Sequence, residues 1–302
     1  MKVAVIGAGG FVGQRVTQLL LASSDVSAVH AIDRVEMPRM PNVTTFQGNF
    51  SDAEIISRGL DGVSSVIFLA AVLGGAAEDN YPLARQVNID ATLDLIDYLR
   101  ASAPQTRFVN ASTVAAYGDP LPAVVNDATP LAPQMVYGAQ KVMIEVLLSN
   151  FARREWLDAV SLRPAGVMAR DGVNPALKTA FMSRLFYAVA RGEDITLPVS
   201  EDSTTWMASR DTVASNFVEA ALCPEIGARR AFTLPALRVR FAELVAALRR
   251  RFPDSGSTVR YDPDPQIVAL FGSHPPLVTE TADALGFSRD ADVDALVSRA
   301  FE

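Results

Sequence analysis

One cysteine, two histidines and three lysines are all that this 302-residue chain has of those residue types. The lone Cys223 excludes an internal disulfide framework. His30 and His274 stand far apart, and with one cysteine they make no metal-ligand spacing, so no metal site is expected. Positive charge is short as well. The formal net charge is −7 and the pI about 5.0, which excludes the basic footprint of a nucleic-acid binder. A long apolar run is also missing. The longest uncharged stretch, GVSSVIFLAAVLGGAA, is too short to cross a bilayer and is interrupted by Gly and Ser, so no membrane partner is expected. The start, MKVAVIGAGGFVG, places a lysine before an apolar run in the manner of a secretion signal. It meets a glycine turn and Arg15 at once and has no small-x-small cleavage site of the usual kind. It reads as a first strand, and a cytoplasmic location is expected.

What the chain does have is alternation. KVAVIGA, VSAVHAID, VTTFQGN, VSSVIFLAA, RFVNAST and LDAVSLRPA read as strands. Between them GQRVTQLLLAS, DAEIISRGL, PLARQVNIDATLDLIDYLRAS and YGAQKVMIEVLLSNFARRE carry helical spacing. Continuous apolar strands alternating with helices predict an α/β fold, a doubly wound parallel sheet covered on both faces. After about Ala165 the pattern loosens into shorter pieces. SRDTVASNFVEAAL reads as a helix with Ser209 or Asp211 at its N-cap, and TETADALGF as a short helix closed by Gly286. The expected organisation is a dinucleotide-binding domain over 1–165, to which 202–235 returns. A smaller C-terminal substrate lobe is expected from 166–201 and 236–302.

The segment VIGAGGFVG sets Gly7, Gly9, Gly10 and Gly13 between the first strand and the first helix. Glycines there allow a tight turn and let backbone amides approach a pyrophosphate at the helix N-terminus. A ligand-free tight turn is the plain alternative, but the strand-before, helix-after context is the one that supports binding. Asp33 closes the second strand, where a carboxylate can accept both ribose hydroxyls of NAD and repel the 2′-phosphate of NADP. Arg34 follows, placed to lie against the adenine.

Tyr137 precedes Lys141 by four residues, so one helical turn stacks phenol and ammonium on one face. With six tyrosines and three lysines in the chain, chance alone gives such a pair about 6% of the time. A free phenol is a poor base at neutral pH, and a nearby ammonium is expected to lower its pKa. Tyr137 could then take a proton from a substrate alcohol while hydride leaves the same carbon for a nicotinamide. Ser112 and Thr113 end the preceding strand, where a hydroxyl donor for the alcohol oxygen is expected.

Gly7, Gly10 and Gly13 spaced as GxxGxxG, then ST…AYG, then YGAQK, together resemble the extended short-chain dehydrogenase/reductase family over residues 1 to about 235. The resemblance implies a Rossmann-type fold, NAD as cofactor, and catalysis by Tyr137, Lys141 and Thr113, with Ser112 as second choice for the hydroxyl. It implies cofactor contacts from Phe11 and Val12 beside the glycines, and from Asn49 and Phe50 near the adenine. Asn49 departs from the aspartate of many relatives. Leu69, Ala70, Ala71 and Asn88 are implied along the middle of the cofactor, and Pro164, Ala165 and Val167 of LRPAGV at the nicotinamide.

AAVLGGAAEDNYPLARQVN, YGAQKVMIEVLLSNFARREWLDAVSLRPAGV and PDPQIVALFGSHPPLVTETADALGF are further similar to the D-erythronate dehydrogenase group. This implies an NAD-dependent oxidoreductase acting on a secondary alcohol of a small sugar acid. VMARDGVNPALK departs from that group where substrate loops lie. A polyhydroxy acid needs a cation for its carboxylate and hydrogen-bond partners for its hydroxyls. Arg170, Arg210 and Asn174 fall in the late irregular segments, and Leu73, Gly74 and Thr113 are further expected substrate contacts. His274 and Ser273 are lesser candidates. A nucleotide-sugar epimerase or dehydratase with the same catalytic set, and a non-catalytic NAD-binding sensor, remain the competing readings. Relatives pair the two long helices across a four-helix interface, so a homodimer is expected.

Overall fold

A computed structural model describes residues 1–172 and 179–302. By contacts the chain divides into two compact units, 1–116 with 131–163 and 214–233, and 117–130 with 164–213 and 234–302.

The first unit holds β1 (Lys2–Ile6), β2 (Ala28–Asp33), β3 (Val43–Gln47), β4 (Ser65–Phe68), β5 (Arg107–Ala111) and β6 (Ala159–Arg163). The second holds β7 (Gly166–Met168), β8 (Ile195–Leu197) and β9 (Thr204–Ser209), and β10 (Ala231–Thr233) returns to the first. Seven strands make one sheet in the order β3-β2-β1-β4-β5-β6-β10, every pair parallel. The order reverses beside β1, and the crevice at such a switch point is where doubly wound sheets bind ligands. Val3, Val5, Val66, Ile67, Phe108 and Val109 are wholly buried, which is why these strands read as unbroken apolar runs. Phe68 ties the core together, edge-on to Phe50 at 5.1 Å and stacked on Phe108 at 5.7 Å.

Its helices are α1 (Phe11–Ala22), α2 (Ala53–Gly59), α3 (Gly74–Asp79), α4 (Tyr81–Arg85), α5 (Ala91–Ser102) and α6 (Val136–Arg153). The run expected as one long helix over 82–102 is divided. A π-turn, Gln86–Asp90, joins α4 to α5 and carries Asn88. Such wider turns concentrate at functional positions.

The second unit contains α7 (Ala180–Arg191), and α8 (Arg210–Leu222) begins in it. β11 (Leu237–Arg240), α9 (Phe241–Arg251), β12 (Val259–Tyr261), α10 (Pro265–Phe271), α11 (Glu280–Ala284) and α12 (Val293–Arg299) complete it. β9 is the centre of a three-stranded sheet, parallel to β7 and antiparallel to β11, while β12 pairs with β8. Ser209 caps α8 by accepting the Thr212 amide at 3.2 Å, so the N-cap is Ser209 rather than Asp211.

The expected boundaries move. The break falls after Arg163, and the return to the first unit begins at Ala214, because β9 is held by β7 and β11. Residues 117–130 join the second unit, where Val125 bridges to Leu277 and the Asp127 carboxylate accepts the Thr281 amide at 3.0 Å. No helix among the described residues is long and apolar enough to cross a membrane.

Candidate active site

The turn from β1 into α1 is built on glycine for steric reasons. Gly7 sits at φ +90°, and a side-chain carbon there would lie 3.0 Å from Ala70 N. At Gly13 the same carbon would lie 2.1 Å from Gly7 O. The N-terminus of α1 has no side-chain cap and no acidic residue in its first turn, where Phe11 and Val12 stand with Gly13. Backbone amides and a positive helix end in a cradle that tolerates no side chain fit a pyrophosphate.

Asp33 ends β2 beside this cradle. Its Oδ2 accepts the Gly9 amide at 2.8 Å and its Oδ1 the Val35 amide at 3.2 Å. Each oxygen keeps a lone pair for a ribose hydroxyl. Arg34 is exposed next to it. Asn49 is exposed, with Oδ1 turned to the Ser51 amide. Phe50 is spent in the core against Phe68, so only its main chain remains to offer a ligand.

The exit of β4 runs along the glycine turn. The Leu69 amide donates to Ile6 O at 2.8 Å, and Ala70 faces Gly7, with Ala71 following. Asn88 holds the next residue. Its Oδ1 accepts the Val72 amide at 2.8 Å, and its Nδ2 donates to Val72 O at 2.9 Å and to Gln140 Oε1 at 2.8 Å. Both amide hydrogens are thus used within the protein, so Asn88 shapes this loop. Leu73 is exposed and Gly74 opens α3 at φ +36°.

Tyr137 and Lys141 lie in the first turns of α6. Glu78 of α3 accepts the Val136 amide at 2.6 Å at this helix end. Gly138 lets α6 start close to the turn that follows Thr113, since a side-chain carbon there would meet Ala115 O at 2.2 Å. Lys141 is 3% exposed, and its Nζ lies 5.9 Å from both the Tyr137 and the Phe68 ring centroids. Burial pulls its ammonium down to about 8, against the Glu145 charge, which raises it. The Tyr137 phenol moves up, not down as expected. The cause is burial, which disfavours the phenolate in the protein alone.

The two hydroxyls after β5 separate in role. Thr113 Oγ1 accepts the Ala115 amide at 3.1 Å, which leaves its proton to donate. Ser112 is buried and donates instead to Glu145. Glu145, Arg163, Gly138 and Gln140 were not singled out by the sequence. The i, i+4 step from Lys141 to Glu145 was visible there, and so was the arginine closing an apolar strand.

Pro164, Ala165 and Val167 follow β6 in the second unit, with Ala165 buried. Arg170 and Arg210 also belong to that unit, just beyond the paired ends of β7 and β9, where Met168 stands opposite Ser209. The Arg170 amide donates to Ser183 Oγ at 3.2 Å. Asn174 lies outside the described residues. Ser273 Oγ donates to Val268 O at 3.1 Å. His274 packs edge-on to Trp206 at 4.4 Å, and burial holds its imidazole down to about 4. It is neutral at physiological pH and reads as a packing residue.

Sheet order, glycine cradle and ribose-type aspartate define the class, a dinucleotide-dependent enzyme with a tyrosine and a lysine on one helix. The chain belongs to the NAD dependent epimerase/dehydratase family, whose model matches residues 3–221. Its cofactor is NAD, and it is an oxidoreductase working at a CH–OH group. It is 32% identical to a D-erythronate dehydrogenase of Cupriavidus necator, covering 98% of this chain and 97% of that protein. It is 28% identical to a D-erythronate dehydrogenase of Haemophilus influenzae, covering 100% and 99%. Among solved structures it resembles a nucleoside-diphosphate-sugar epimerase from Agrobacterium tumefaciens, with a TM-score of 0.88 and 27% identity over 98% of this chain and 92% of that one.

Proposed function

We propose that the protein oxidises a secondary alcohol of a small sugar acid of the D-erythronate type, with NAD as hydride acceptor. The observation that carries this is the reach of the similarity. Both D-erythronate dehydrogenases match essentially the whole chain, including the part beyond residue 221 where the family model stops. Substrate choice resides in such late segments, while the dinucleotide fold is shared by many activities.

Gly7, Gly10 and Gly13, with the α1 amides, would hold the pyrophosphate, and Asp33 the adenosine ribose. NAD, when bound, supplies the electrophilic ring that receives the hydride. Thr113 donates a hydrogen bond to the substrate hydroxyl oxygen, and Tyr137 Oη takes the hydroxyl proton. Lys141 supplies the charge that favours the phenolate. Burial raises the Tyr137 phenol in the protein alone, so the proton transfer would need the positive charge of a bound cofactor in addition to that of Lys141. For the substrate carboxylate the sequence offers two cations, Arg170 and Arg210, both of the second unit.

The test is a screen of NADH formation over aldonates, uronates and nucleotide sugars. Turnover of four-carbon aldonates that is lost in Tyr137→Phe supports the reading. The likeness to a nucleoside-diphosphate-sugar epimerase favours an alternative, and tight binding of a nucleotide sugar in calorimetry would select it. We further propose a cytoplasmic location and a homodimer paired through α5 and α6; Met143 and Val146, 59% and 63% exposed on α6, support the pairing.

A further inference from the structure

Behind Lys141 lies a buried charge cluster that the proposed chemistry does not use. Glu145 is one turn further along α6 and 2% exposed. Its carboxylate accepts from Arg163 Nε at 2.9 and 3.0 Å and from Arg163 Nη2 at 2.5 Å. It also accepts the Ser112 hydroxyl. Arg163 is the last residue of β6, and Ser112 is the first residue past β5. These strands are neighbours, and the Ser112 amide donates to Leu162 O at 2.7 Å. One carboxylate therefore grips the carboxyl ends of two adjacent strands from the helix that carries Tyr137 and Lys141. Thr113 is the very next residue after Ser112.

We propose that Glu145 is a positioning residue of this active site, tying the ends of β5 and β6 to α6 so that the Thr113 hydroxyl and the Lys141 ammonium sit in one fixed frame. The proposal rests on the roles given above to Tyr137, Lys141 and Thr113.

Charge supports it. Arg163 and Lys141 are two buried cations, and Glu145 is the carboxylate that faces both. The other charged groups on elements against α6 lie at its margin. Glu78 of α3 is spent on the Val136 amide, Asp79 of α3 is exposed, and the exposed Arg85 and Asp90 pair with each other at 3.5 Å. The π-turn, β4 and the β5 end contribute the neutral Asn88, Phe68 and Ser112. A buried ion pair is a weak way to gain stability, since apolar residues of similar volume often serve as well. A pair that also holds a hydroxyl-bearing strand end and faces a functional lysine has a further use.

The chain's three lysines make the test direct. Lysine labelled with carbon-13 at Cε gives three resonances, and the one missing from Lys141→Met belongs to Lys141. Its titration in the whole protein needs neither substrate nor cofactor, so it is independent of the catalytic reading. The expected midpoint is about 8 in the unaltered protein. In Glu145→Gln it falls by about one pH unit or more, because the counter-charge is gone while Arg163 remains. An unchanged midpoint in folded Glu145→Gln overturns the proposal. Ser112→Ala keeps the carboxylate and releases the strand end. With the best substrate of the screen, its kcat is expected to fall about tenfold at an unchanged KM for NAD. Undiminished kcat overturns the proposal. Should Glu145→Gln not fold, Glu145→Asp keeps the charge on a shorter arm, and the same loss of kcat with the Lys141 midpoint held is expected. Full kcat there also counts against it. Full turnover in Tyr137→Phe would instead remove the catalytic reading and leave the titration result standing.

Discussion

At the scale of single residues, the proposed role of Lys141 implies a group held at a cost to stability. Its ammonium titrates near 8 in the fold against about 10.5 when free, because burial disfavours the charge. Between those values the unfolded chain binds the extra proton. This group therefore adds stability as pH rises through the window, and its penalty is full below about pH 8. Lys141→Met should accordingly be inactive yet more stable in urea at pH 7, by up to roughly 3 kcal/mol. That gain should shrink between about pH 8 and 10.5; a constant or negative difference would contradict the assignment. Asp33 carries another prediction. Asp33→Asn keeps an acceptor for the Gly9 amide but removes the charge, so the preference for NAD over NADP should fall about tenfold in kcat/KM. The Tyr–Lys pair was legible because one turn of helix is a local rule. Glu145 and Arg163 were not, because their meeting depends on which strand lies next to β5.

At the scale of elements, two close approaches set the geometry. Gly13 brings α1 onto the glycine turn, and Gly138 brings the start of α6 onto the turn after Thr113. Gly138→Ala would force a carbon to 2.2 Å from Ala115 O. It should cost about 1–3 kcal/mol in unfolding and lower kcat at least tenfold, as Tyr137 moves away from Thr113. Wild-type kcat in that variant would show the approach to be unimportant. Gly13 is readable from its motif. Gly138 is not, because it sits inside a helical pattern and the atom that demands it, at Ala115, lies 23 positions earlier in the chain. β1, β4, β5 and β6 were legible for a different reason: buried on both faces, they are mostly apolar, broken only by single residues such as Ser65, Asn110 and Ser161. The three-residue strand β12 was not, because a run that short holds no period.

At the scale of the whole molecule, the second unit was the least legible part. Its three-stranded sheet pairs β9 with β7 and β11, and the unit takes in a segment, 117–130, whose Val125 bridges to the distant Leu277. No local pattern announces such pairings. Assembly is testable here. Val146→Glu places a charge on the exposed apolar face of α6 and should convert a dimer to a monomer in light scattering, with the unfolding free energy of the fold little changed. A wild-type monomer at micromolar concentration would contradict the dimer. The central claim concerns chemistry, and one measurement reaches it most directly, namely NADH formation from D-erythronate by the wild-type protein and by Tyr137→Phe, side by side. Steady reduction of NAD by the first and a loss of about a thousandfold or more in the variant are expected. Equal rates in both would contradict the role of Tyr137. Inertness of the wild-type protein toward every aldonate, together with tight binding of a nucleotide sugar, would contradict the substrate.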